Sequence, residues 1–201
     1  MQKQEVRMIP LPAVYVMETT MPESMVDSVN DYIDEYRKKE DRKSLAPTLV
    51  GQIHQGEQLL LDHTDERLAE YTQFICNLGT EYINLYGSVG NKVIGPKQVE
   101  TDETWSVHSY DGDYNPIHDH GTKTIMGLST TAWTKVPEQI GRTNATSPTY
   151  SLYNESGHSD GCIMFSYGQT STLDSERLKP AQLITVTPEV GKLMVFPSWL
   201  Q

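Results

Sequence analysis

Between Pro22 and about Lys39 the apolar residues Met25, Val26, Val29, Ile33 and Tyr36 recur at helical spacing. That pattern predicts an amphipathic helix, with Pro22 near its start, where the missing N–H is not needed. Asp65 to about Tyr86 repeats the pattern with Leu68, Tyr71, Ile75, Leu78, Tyr82, Ile83 and Leu85. Gly79 weakens the middle of this second helix, and Gly87 is placed to end it. The stretch Leu45 to Leu61 between them reads as irregular or briefly extended. After Gly90 the period changes, and short apolar or alternating runs are bounded by Gly, Pro, Asn and Asp. These predict strands near Thr104–Tyr110, Ile117–His120, Thr124–Trp133, Gly161–Tyr167, Gln182–Val186 and Lys192–Phe196. Pro116 cannot donate to a ladder, so the second of these begins after it. Pro137 to Gly161 is rich in Thr, Ser, Asn and Gly and reads as a long loop with one short strand at Tyr150–Tyr153. No internal repeat is present.

Composition narrows the class. The 201 residues suffice for one domain with a real core, and 37% hydrophobic and 21% charged content fits a globular protein. No apolar run reaches the roughly 20 residues of a membrane helix, and the N-terminus lacks the basic-then-apolar pattern of a signal peptide. Cys76 and Cys162 lie far apart and form no metal-spaced pair, so a reducing compartment with two free thiols is the simplest reading. The expected location is cytoplasmic. The net charge is −11, and the bases Arg37-Lys38-Lys39 and Arg42-Lys43 are interleaved with acids. That argues against a broad nucleic-acid surface. The sequons at Asn144 and Asn154 are not expected to be glycosylated without a secretory leader. His54, His63 and His158 stand alone in polar surroundings and read as surface histidines. His108 reads as a satisfied structural histidine, on the opposite face of its strand from Trp105, with pocket lining as the alternative.

The densest chemistry lies in Tyr110-Asp111-Gly112-Asp113-Tyr114-Asn115-Pro116-Ile117-His118-Asp119-His120-Gly121, which holds two of the six histidines. In a strand, residues i and i+2 share a face. His118 and His120 would then present two imidazoles to one cation while Asp119 points away. A bulge that swings Asp119 inward instead is the alternative. Imidazole suits iron, zinc, copper and nickel, and two ligands leave coordination positions open. No serine sits in a nucleophile-elbow context, and no Gly-rich loop precedes a helix in phosphate-binding form.

The order of two helices, Tyr110 to His120, a strand pair and Gly191-Lys192-Leu193-Met194-Val195-Phe196-Pro197-Ser198-Trp199-Leu200 resembles the Fe(II)/2-oxoglutarate-dependent dioxygenases. The likeness is to those of the T4-like marine phage and bacterial type, related to prolyl hydroxylases. It extends to Leu49–Ile53, Trp105, Leu128-Ser129, Lys135–Ile140 and Gly161–Phe165. The resemblance implies an α+β, mainly β fold: a double-stranded β-helix, or jelly roll, with N-terminal helices packed on one sheet. The short, evenly spaced strand signals, which begin only after residue 90, agree. The chain is thus expected to be a single domain over 1–201, helical over 1–90 and jelly roll over 91–201.

By the resemblance, iron is held by a His-x-Asp/Glu pair and a distal His, and 2-oxoglutarate chelates it and pairs its far carboxylate with Arg or Lys. The expected metal ligands here are His118 and His120, with His120 standing at the carboxylate position. Tyr114 and Asn115 are the candidate cosubstrate-binding residues. The distal His and the Arg are expected just past Gln201, so these 201 residues are expected to bind Fe(II) poorly and to lack the last barrel strand. Two functions follow as expectations. One is an Fe(II)- and 2-oxoglutarate-dependent oxygenase hydroxylating an unidentified substrate, a peptidyl or amino-acid side chain by family analogy. The other is a catalytically inactive jelly-roll structural or interaction protein, for example a virion component. The expected partners are the small-molecule cosubstrate and the substrate, with a homo-oligomer or phage structural proteins as further candidates. Neither membrane nor nucleic acid is expected among them. Pro137–Gly161 is expected to be the least ordered part of the second half and to cover the pocket mouth. Amide hydrogen exchange there should therefore be faster than in Lys192–Phe196, and equal protection would contradict that role.

Overall fold

The computed structural model describes residues 14–48, 51, 53–89, 98–110, 112–121, 127–138, 140, 161–168, 176 and 182–201. In chain order the elements are β1 (Met17–Thr20), α1 (Glu23–Tyr36), β2 (Glu57–Leu61), a 3₁₀ turn (Glu66–Leu68), α2 (Ala69–Val89), β3 (Thr104–His108), β4 (Leu128–Ala132), β5 (Ile163–Tyr167), β6 (Gln182–Val186) and β7 (Lys192–Pro197). All described pairings are antiparallel. They form a three-stranded sheet in the order β1-β7-β4 and two ladders, β2-β3 and β5-β6.

The helices follow from their apolar stripes. α1 buries Met25, Val26, Val29, Tyr32 and Ile33, which lie on one side at the helical period. Asp65 opens the second helical segment by accepting the Arg67 N–H at 3.0 Å, and α2 runs past Gly87 to Val89. The Gly87 stop therefore fails; no αL conformation is recorded there, and the helix continues. Both helices cover one face of the β1-β7-β4 sheet. Leu193 and Val195 of β7 join Met25, Val29, Tyr32, Leu68, Leu78 and Tyr82 in that core, with Leu59 and Leu61 of β2 beside them.

The alternate residues of β7 point the other way. Met194 and Phe196 pack with Phe165, Val186 and Leu200 in a second core on the far face of the sheet. β7 is buried on both sides, which is why it reads as a continuous apolar run and not as an alternation. A helical layer, a sheet and a β-hairpin covering the sheet's other face make a mainly β arrangement with few helices. It is consistent with a jelly roll of the 2-oxoglutarate oxygenase kind.

Several expectations are corrected. Strands do not begin only after residue 90, since β1 and β2 lie earlier. β1 pairs with β7 from Met17↔Val195 to Thr20↔Lys192, and β2 pairs with β3 from Glu57↔His108 to Leu61↔Thr104. Their four- and five-residue sequences are too short to show a period, and partner strands more than 40 positions away hold them. Ile117–His120 is not a strand. Pro116 offers no N–H, the Asp119 carboxylate takes the Gly121 N–H at 2.9 Å, and the His120 N–H goes to the Ser198 carbonyl at 2.9 Å. The expected strand at Tyr150–Tyr153 and most of the Pro137–Gly161 loop lie outside the described residues.

Phe196 is 5% exposed and meets Phe165 edge-on with ring centroids 4.8 Å apart. Phe196→Ala should cost about 3–5 kcal/mol, as deletion of a fully buried aromatic does. Denaturant unfolding of the two proteins measures this, and an unchanged midpoint would place Phe196 outside the core.

Candidate metal centre

The His118–His120 segment runs past the end of β7 and the start of β4. The Ser198 carbonyl accepts the His120 N–H at 2.9 Å, and the Ser198 N–H donates to Gly127 O at 3.0 Å. The two imidazoles come together, their ring centroids 5.3 Å apart. The pairing expected from an i, i+2 strand thus occurs without the strand; single hydrogen bonds to neighbouring elements achieve it.

Each ring is held by its Nδ1. His118 Nδ1 lies 2.7 Å from the Pro116 carbonyl oxygen. A carbonyl can only accept, so Nδ1 carries the proton and the neutral ring has its lone pair on Nε2. His120 Nδ1 lies 2.7 Å from Ser129 Oγ, and Ser129 in turn donates to Ser198 Oγ at 3.1 Å. Ser129 faces Phe196 across the β4-β7 ladder, so the polar pair sits on the same side of the sheet as the second core. Trp105 meets the His120 ring edge-on at 5.5 Å, and Phe196 lies at 6.3 Å. These neighbours strip water from part of the ring. Desolvation first, and the adjacent His118 second, lower the pKa of His120, which favours the neutral ring. Neutral imidazoles tied back through Nδ1 are the form in which histidine binds metals.

The chemistry of this donor set fits two ligands of an iron, zinc, copper or nickel site. Among the described residues no group of three His, Cys, Asp or Glu side chains forms. Asp119 is turned back on its own backbone, with Oδ1 accepting the Gly121 N–H. Tyr114 is exposed, and Asn115 Oδ1 accepts from Gln58 Nε2 at 3.4 Å. Gln58 and Leu60 share a face of the β2-β3 ladder with Val107 and Trp105, so Asn115 is linked to the face that carries Trp105. His108 lies on the other face of β3, 3.1 Å from Ser106 Oγ, where burial and then Arg37 lower its pKa. A cavity of about 410 Å³ lies along α2, lined by His63, Gln73, Cys76 and Asn77 among others; it contains no candidate site residue.

Residues 103–201 match a family model described as "Putative 2OG-Fe(II) oxygenase". The match covers just under half of the 201 residues and includes both histidines, Trp105, Ser129 and Ser198. It supports the oxygenase family, with the Fe(II) and 2-oxoglutarate dependence that this family implies. Comparisons with curated proteins and with solved structures give no match. No helix among the described residues is long and apolar enough to cross a membrane.

Sequence reasoning missed three contributors. Ser129 and Ser198 are buried polar residues whose roles exist only because β4 and β7 pair. The sole hint in the sequence is a serine at an inward position of each strand end. Trp199, two residues past the end of β7, is 48% exposed, with Tyr167 at 6.4 Å. The turn from Pro197 to Leu200, closed by the Leu200 N–H to the Pro197 carbonyl at 3.0 Å, carries it outside, and Leu200 fills the core place.

The third contributor is Asp113. Its carboxylate accepts the backbone N–H groups of His54 at 2.5 Å, Gln55 at 3.3 Å, Gly56 at 2.9 Å and Tyr110 at 3.0 Å. It thereby ties the loop before β2 to the loop that leads to the histidines. Two glycines make room. A Cβ at Gly56 would lie 1.6 Å from His108 O, and Gly112 has φ +85° in the turn closed by Asp113 N–H to Tyr110 O. The bond from His54, then the other backbone donors, hold the Asp113 pKa below its usual 3.8. A depressed carboxylate stabilises the fold above its unfolded pKa and loses that effect as pH falls through the folded value. Asp113→Ala should therefore lower the denaturation midpoint at pH 7, with the gap from wild type narrowing below pH 3.8. A gap that stayed constant down to pH 2.5 would show that the charge does not organise the loop.

Proposed function

We propose that the protein is an Fe(II)- and 2-oxoglutarate-dependent oxygenase in which His118 and His120 supply two metal ligands through Nε2. The observation that carries this reading is the pair itself. Two imidazoles meet inside the segment matched by the oxygenase family, each with Nδ1 engaged and Nε2 left for a ligand. The phage and bacterial type of the resemblance, and closure of the strands into a double-stranded β-helix, belong to the same proposal. So does a cytoplasmic setting, in the host cytoplasm or the virion if the protein is phage-encoded.

Bound Fe(II) with 2-oxoglutarate would supply the O₂-dependent oxidising chemistry that hydroxylates a substrate. The chain's own contributions are definable. His118 and His120 offer Nε2 at positions fixed by their Nδ1 hydrogen bonds. Trp105 and Phe196 shield one side of the His120 ring from water, which strengthens electrostatic interactions there. Tyr114 and Asn115, beside the histidine motif, are the proposed contacts for 2-oxoglutarate. The substrate proposed by family analogy is a peptidyl or amino-acid side chain.

Anaerobic calorimetric titration of Fe(II), with 2-oxoglutarate present, tests the reading. The described residues supply two imidazoles, which by themselves are an incomplete ligand set and would bind weakly. Binding should still fall by more than about tenfold in His118→Ala and in His120→Ala, since even an outer partner of a ligand is worth that much. If both variants bind Fe(II) as the wild type does, the metal reading fails and the non-catalytic scaffold reading takes its place.

A further inference from the structure

The hydrogen bonds around His120 do more than hold the ring, and this inference rests on the metal reading above. We infer that Ser129 and Ser198 form a buried hydroxyl pair that fixes which nitrogen of His120 carries the proton. Both serines are buried, Ser129 on β4 and Ser198 just past the end of the adjacent β7, where the histidine segment hydrogen-bonds to the chain. His120 Nδ1 lies 2.7 Å from Ser129 Oγ, and Ser129 Oγ lies 3.1 Å from Ser198 Oγ.

A hydroxyl has one proton to give. Ser129 gives its proton to Ser198, so toward His120 it can only accept. Nδ1 must then carry the hydrogen, and Nε2 carries the lone pair. The reverse order, with Ser129 donating to His120, would put the proton on Nε2 and close that nitrogen to a cation. The direction of one hydroxyl therefore decides whether His120 can be a ligand.

Ser198 controls the same histidine twice. Its carbonyl accepts the His120 N–H at 2.9 Å, and its hydroxyl accepts from Ser129. Its own N–H is spent on Gly127 O at 3.0 Å, which places Ser198 against the lead-in to β4. One residue at the end of β7 thus sets both the backbone position and, through Ser129, the ring tautomer. His118 needs no such device, because a carbonyl acceptor leaves only one tautomer available. The two serines act through His120 and are positioning residues.

The test is ¹⁵N NMR of histidine-labelled protein without metal, at a pH where His120 is neutral, alongside titration with Co(II). The variants are Ser129→Ala, Ser129→Thr and Ser198→Ala. In the wild type, Nε2 of His120 should give the unprotonated signal and Nδ1 the protonated one. Ser129→Ala should shift both toward the averaged values of mixed tautomers. Ser129→Thr, which keeps the hydroxyl, should restore the wild-type signals, and Ser198→Ala should give an intermediate shift. Co(II) affinity should drop about 10- to 100-fold in Ser129→Ala, the usual effect of losing the partner behind a ligating histidine. Wild-type His120 protonated on Nε2 would overturn the inference, as would unchanged signals in Ser129→Ala. A folded Ser129→Ala that binds Co(II) as tightly as the wild type would also overturn it. If the wild type binds no Co(II), the oxygenase reading fails separately, and the metal-free spectra still decide the tautomer.

Discussion

The structure depends on a strand that is buried on both faces. β7 packs Leu193 and Val195 against the helices and Met194 and Phe196 against the opposite hairpin. It also forms ladders with β1 on one edge and β4 on the other. Every backbone and side-chain direction of this strand is therefore committed. Hydrophobic burial drives the packing, and the two ladders satisfy the polar backbone that burial would otherwise leave costly.

The site is a consequence of where this strand ends. Beyond Pro197 the apolar run stops, and Ser198 turns its carbonyl and hydroxyl toward the histidine segment. His120 is held there by backbone and side chain together, while Trp105 arrives from a ladder that begins more than 40 residues earlier with β2. Three separate parts of the chain thus converge on one imidazole. Asp113 supports the approach from the other side by collecting four backbone N–H groups from two loops. Loops without ladder hydrogen bonds need such a collector if they are to present side chains reproducibly.

Much of the fold was legible in order and type. Both helices show their stripes, and β3 to β7 coincide with short apolar or alternating runs. β7 was the plainest, because a strand buried on two faces leaves an unbroken apolar signature. β1 was not legible, and β2 showed only as part of the irregular or briefly extended stretch Leu45–Leu61. Met17–Thr20 carries no period of its own and becomes a strand only because the edge of β7 is open to it. Ile117–His120 was misread in the opposite direction, since an apparent alternation around His118 and His120 found no partner strand.

By itself, the sequence determined the residue types of the candidate site. Two histidines at a spacing of two, followed far downstream by an apolar run ending in Pro197-Ser198-Trp199, sufficed to point to metal chemistry. Their type and spacing are local properties, written into consecutive residues. Only the tertiary structure decided how the rings are held and which nitrogen each has left. That depends on Pro116, Ser129, Ser198, Trp105 and Phe196, most of them brought in by strand pairing over long sequence separations. A hydrogen-bond partner across a ladder has no local signature, because any serine at an inward position looks alike until the register is set.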